Sequence, residues 1–81
     1  MPSSHVVTLI TRVGCHLCEE AEAQLRGLSR ELGFTYREVD VDGSPVLREK
    51  FGDQVPVILL DGRVHSHFRV DERKLRKALA R

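Results

Sequence analysis

Apolar residues fall along this chain in blocks whose spacing switches from continuous to helical and back. Val6 to Ile10 is a near-unbroken apolar run, the pattern of a strand covered on both faces at the centre of a sheet. After a turn at Thr11 to Gly14, Leu17, Ala21, Leu25, Leu28 and Leu32 recur at intervals of three and four. That spacing lays one apolar stripe along a helix from Cys15 to about Leu32, and Gly33 stands where such a helix is capped.

Phe34 to Val41 predicts a second strand, although its apolar set moves from Phe34 and Tyr36 to Val39 and Val41, so strict alternation breaks. An edge position or a bulge accounts for that shift. Asp42-Gly43-Ser44-Pro45 predicts a turn into a short helix, with Ser44 as N-cap and Pro45 at its first position, ending at Phe51-Gly52. Val55 to Leu60 predicts a third strand that opens at Pro56, and Asp61-Gly62 is a hairpin signal leading to a fourth strand near Arg63 to Ser66. Asp71 then caps a last helix that buries Leu75, Ala78 and Leu79 and turns Arg73, Lys74, Arg76, Lys77 and Arg81 to solvent. The predicted order is βαβαββα, an α/β fold. A crossover makes the first two strands parallel, and the hairpin completes a four-stranded mixed sheet with helices on both sides.

With 81 residues, 41% of them hydrophobic, and charges of both signs interleaved, the chain makes one small domain over residues 1–81. A formal net charge of +1 gives no field suited to nucleic acid or to a membrane surface. No apolar run approaches the roughly 20 residues of a membrane span. Met1-Pro2-Ser3-Ser4 lacks the basic start and small-residue cleavage site of a secretory leader. These features lead us to expect a cytoplasmic monomer whose partner is a small molecule or another protein.

Two cysteines, Cys15 and Cys18, stand just after the first strand and at the start of the first helix. A thiol attacks a disulfide only as thiolate, and the unpaired N–H groups and positive dipole end of a helix start favour a negative sulfur there. Cys18 lies almost one turn further on, placed to attack a mixed disulfide formed at Cys15. The spacing therefore assigns attack to Cys15 and resolution to Cys18. Half of a zinc site and a pair of buried structural thiols are the competing readings. A structural zinc site needs four ligands, and His5, His16, His65 and His67 form no second pair at finger spacing. A lone cysteine pair in a reducing compartment is also more often catalytic than structural. His65-Ser66-His67 alternates, which in a strand puts both rings on one face. For His5, His65 and His67 the default reading is an ordinary surface residue.

Three segments carry a family resemblance: Gly14-Cys15-His16-Leu17-Cys18, Gln54-Val55-Pro56-Val57 and His67-Phe68-Arg69-Val70-Asp71. With the predicted element order, they resemble the glutaredoxin branch of the thioredoxin fold over almost the whole chain. The resemblance implies a cis Val55-Pro56 bond, with the Val55 N–H and C=O pairing with the backbone of an extended substrate. It implies that Arg12 and Asp71 take the places of two glutathione-binding residues. It also places His16 and Leu17 against the substrate, where glutaredoxins carry Pro-Tyr. Their Gly-Gly pair before the last helix is absent, and Phe68 or Arg69 stands nearby instead. The second and third segments also look like those of ribonucleotide-reductase-associated redoxins, which draw electrons from thioredoxin reductase. That group, however, has proline where this chain has Val70, and it carries a Trp-Ser-Gly stretch that is missing here.

The activity so implied is reduction of protein or glutathione mixed disulfides, with glutathione or thioredoxin reductase as electron donor. Glutathione would enter as a co-substrate, and no metal or tightly bound cofactor is called for. Two other classes compete: an iron–sulfur or metal carrier using Cys15, and a redox-inert adaptor that kept the fold.

Overall fold

A computed structural model of the chain describes residues 4–80. Its elements run β1 (Val6–Thr11), α1 (His16–Leu32), β2 (Thr35–Asp40), a 3-10 turn (Val41–Gly43), α2 (Pro45–Phe51), β3 (Val57–Leu60), β4 (Arg63–His67) and α3 (Glu72–Leu79). The four strands form one sheet in the order β2-β1-β3-β4. Strand β1 pairs in parallel with β2, from Val6 beside Thr35 to Thr11 beside Asp40, and antiparallel with β3. Its central place explains its unbroken apolar run: Val7, Leu9 and Ile10 are all buried.

Each face of the sheet has its own core. On one face α1 and α3 cover Val7, Leu9 and Ile58 with Ala21, Leu25, Leu28 and Leu75. On the other, α2 sets Phe51 against Ile10, Val41 and Val57. Burying one such leucine, valine or isoleucine side chain contributes about 1.5–3 kcal/mol, so the two layers together hold the sheet between its helices. The broken alternation of β2 follows from the same arrangement. Phe34 and Tyr36 join the α1/α3 core, whereas Val39 and Val41 join the α2 core. The strand is at the sheet edge and its pairing with β1 is uninterrupted, so no bulge is involved.

Caps fall where the side chains specify them. Ser44 accepts from the Leu47 N–H at 3.4 Å at the start of α2, with Pro45 next to it. Asp71 accepts from the Lys74 N–H at 3.1 Å at the start of α3. Gly33 ends α1 in the left-handed conformation at φ 78°, which glycine adopts at little cost. The hairpin turn holds Asp61 at φ 51° and Gly62 at φ 85°. The Asp61 carboxylate fastens this turn to the sheet by accepting from the Val6 N–H at 2.8 Å and bonding His5 Nδ1 at 2.6 Å.

Several sequence expectations are corrected. The ladder of β3 begins at Val57 rather than Val55, and β4 reaches His67. Pro56 has no N–H to contribute to a ladder, and it precedes the first paired residue. Leu17 does not join the buried stripe of α1. It stands in the first turn, beyond the sheet, and is 49% exposed, while Cys18 takes up the buried position there. His65 is not a surface residue: it is buried at a break in the β3–β4 register, where Ile58 pairs with Ser66 and Leu59 with Val64. His67 is exposed, so the two rings do not share one environment. His5 is tied to Asp61. Arg76 is not simply solvated but bonds Glu31 at 2.6 and 2.9 Å and Glu72 at 2.9 Å. Arg81 lies outside the described residues.

Candidate active site

The end of β1 feeds a three-residue loop, Arg12-Val13-Gly14, that turns the chain into α1. Gly14 has φ 79°, a conformation in which a side chain would be strained, and the Cys15 N–H closes the turn by donating to the Arg12 carbonyl at 3.3 Å. Cys15 becomes the N-cap of α1 in extended conformation, so the helix proper starts at His16, one residue later than expected. Its Sγ accepts from the Cys18 N–H at 3.1 Å, and its carbonyl accepts from the Glu19 N–H at 3.1 Å.

A sulfur in the N-cap position thus does what a serine or aspartate oxygen ordinarily does there. The bond strengthens when the sulfur is negative, and the helix dipole acts in the same direction. Cys15 and Cys18 are joined as a disulfide, with Cα atoms 5.1 Å apart. The two thiols differ in access. Cys15 is partly exposed, whereas Cys18 is 1% exposed beneath it. Reagents in solution therefore meet Cys15 first, and Cys18 is reached through it.

The other expected site residues divide into those at this centre and those engaged elsewhere. His16 and Leu17 are exposed at the first turn of α1, between the two cysteines. The Val55-Pro56 bond is cis. Pro56 is buried, and its carbonyl accepts from the Phe68 N–H at 2.7 Å, which ties the start of β3 to the turn after β4. Val55 lies just outside the strand ladder, which starts at Val57.

Arg12 points its guanidinium at α2 instead. It donates to Asp42 at 2.9 and 3.2 Å and to the Gly52 carbonyl at 3.0 Å. Bonding to Arg12 holds the Asp42 carboxyl below the usual carboxylate range, and Asp42 in return raises the guanidinium further. This three-bond anchor fixes the loop that carries Cys15. Asp71 is committed to the N-cap of α3.

Sequence reasoning did not assign a role to Phe68. It has φ 68°, is 51% exposed, and helps line a groove of about 420 Å³ that Leu17, between the two cysteines in the chain, also lines. A phenylalanine carries no local signal for the left-handed conformation, so only the assembled turn reveals it. Among the described residues, no three His, Cys, Asp or Glu side chains stand together so as to hold a metal ion. No helix among them is long and apolar enough to cross a membrane.

Comparison with known proteins gives a consistent answer. A glutaredoxin-like domain family matches residues 6–80. An uncharacterised protein of Mycobacterium tuberculosis is 51% identical over 80 residues, which cover 93% of this chain and 82% of the relative. The solution structure of a protein from Nitrosomonas europaea superposes with a TM-score of 0.77 at 32% identity, covering 98% of this chain and 93% of the other. Thioredoxin from Fasciola hepatica has the same fold, with a TM-score of 0.62 at 21% identity over 98% of this chain and 81% of its own.

Proposed function

The chain belongs to the glutaredoxin-like family, a branch of the thioredoxin fold, and from that premise we propose that it is a small dithiol oxidoreductase that reduces disulfides. The observation that carries this reading is the unequal pair at the start of α1, with an accessible Cys15 sulfur accepting the Cys18 N–H and a buried Cys18 beneath it.

In the first step the reduced Cys15 thiolate attacks one sulfur of the substrate disulfide. One Cys15–substrate disulfide forms, the substrate S–S bond breaks, and the departing thiolate takes a proton from water. The Cys18 thiol then loses its proton and attacks the Cys15 sulfur. The mixed disulfide breaks, the second substrate thiolate leaves, and the Cys15–Cys18 disulfide remains. The substrate gains two electrons and the pair loses two. Glutathione or thioredoxin reductase then supplies two electrons to restore the dithiol, with no bound cofactor on this chain.

Val55 has a backbone role in this scheme. Standing outside the ladder, its N–H and C=O pair with an extended substrate and hold the target sulfur beside Cys15. Arg12 acts by anchoring the Cys15 loop, His16 and Leu17 meet the substrate beside the pair, and Asp71 holds the turn that faces it.

NADPH consumption during reduction of a model disulfide tests the proposal, once with glutathione and glutathione reductase and once with thioredoxin reductase. Turnover with either donor supports it and identifies the electron source. Failure with both overturns it.

A further inference from the structure

The groove between α1 and the β4–α3 turn opens beside Leu17, within the Cys15–Cys18 segment, and its volume is about 420 Å³. Ala21 and Val70, both buried, form its floor, and Leu17 and Phe68, about half exposed, form its walls. Resting on the oxidoreductase reading, we propose that this groove takes an apolar side chain flanking the half-cystine of an extended polypeptide substrate. Leu17 and Phe68 are then its specificity-determining walls.

Four features favour a polypeptide over the dicarboxylate tripeptide glutathione. First, two amides of the turn are already engaged and do not serve a carboxylate: Phe68 N–H donates to the Pro56 carbonyl at 2.7 Å and Arg69 N–H to the His67 carbonyl at 2.8 Å. Second, the Arg12 guanidinium is taken up by Asp42 and Gly52. Third, the groove rim carries one charge of each sign, Glu20 and Arg69, so a second carboxylate would meet no cation there. Fourth, a phenylalanine at φ 68° occupies a backbone conformation unfavourable to any side chain, and its ring lies half exposed over the groove instead of joining the core. An apolar floor with two apolar walls and a polar rim suits one buried anchor side chain.

The test uses the full-length reduced chain in single-turnover reactions with three probes. These are a disulfide-linked peptide with leucine flanking the half-cystine, the same peptide with serine in those positions, and oxidised glutathione. The leucine peptide should react about tenfold faster than either other probe, since a pocket for an apolar group discriminates by at least that factor. In Phe68→Gly and Leu17→Ser the leucine-to-serine rate ratio should fall toward one. The ratio is internal to each variant, so a general loss of activity does not imitate the effect, and glycine at position 68 suits the left-handed backbone. A ratio near one in the unmodified chain, faster reaction with oxidised glutathione, or a ratio preserved in both variants overturns the groove assignment alone. A chain inert toward all three probes overturns the oxidoreductase reading and the groove assignment together.

Discussion

The backbone N–H of Cys18 donates to the Cys15 sulfur at 3.1 Å, so in the proposed reaction the resolving residue would also help to activate the attacking one. In the reduced protein this contact and the N-cap position of Cys15 both favour thiolate at Cys15. Cys18, 1% exposed, has neither this stabilisation nor access to solvent. An alkylating agent applied to the reduced chain at neutral pH should therefore modify Cys15 well before Cys18, as mass mapping of the labelled peptides would show. Equal labelling would mean that the helix start does not discriminate between the thiols.

The two leucines of α1 at positions 17 and 25 should behave oppositely in stability measurements. Leu25 is fully buried in the α1/α3 core, and Leu25→Ala should cost about 2–5 kcal/mol through lost transfer energy and the cavity left behind. Leu17 is 49% exposed, and Leu17→Ala should stay within about 0.5 kcal/mol. Urea unfolding of the two variants measures both. A large loss in the Leu17 variant would place that side chain in the core.

His65 gives the fold a dependence on pH. Among the described residues neither ring nitrogen has a hydrogen-bond partner, and burial pushes the imidazole below its ordinary value. The Lys74 charge pushes the same way, while a contact with the Lys74 backbone and the Asp71 charge oppose it more weakly. At this residue the unfolded chain therefore binds a proton more readily than the folded one, so the His65 contribution to stability is fully present above about pH 6.5 and falls as acid is added through the gap between the two values. Urea midpoints measured between about pH 7 and about pH 5 should decline, and His65→Leu should flatten that part of the profile. An unchanged slope in the variant would assign the acid sensitivity to other groups.

Much of this architecture was legible because it depends on local chemistry. Gly33, Ser44, Pro45 and Asp71 mark element ends by backbone preference or by a single short side-chain bond, and each does so here. The central run of β1 and the Cys15–Cys18 pair were visible for the same reason. What escaped depends on contacts between distant segments. The shift within β2 needed two cores on opposite faces of the sheet, which no window along one strand contains. Burial of His65 needed the register break against β3. The engagement of Arg12 needed Asp42 and Gly52, 30 and 40 residues away. The left-handed Phe68 followed from a turn bonded to Pro56.

The division of labour between the cysteines is tested most directly by trapping. Cys18→Ser, mixed in reduced form with a disulfide-bonded protein such as insulin, should accumulate a covalent adduct joined through Cys15 and released by added thiol. Cys15→Ser should form no adduct and reduce nothing. Retained disulfide reduction by Cys15→Ser, or an adduct mapped to Cys18 in the unmodified chain, would contradict the assignment of Cys15 as the nucleophile.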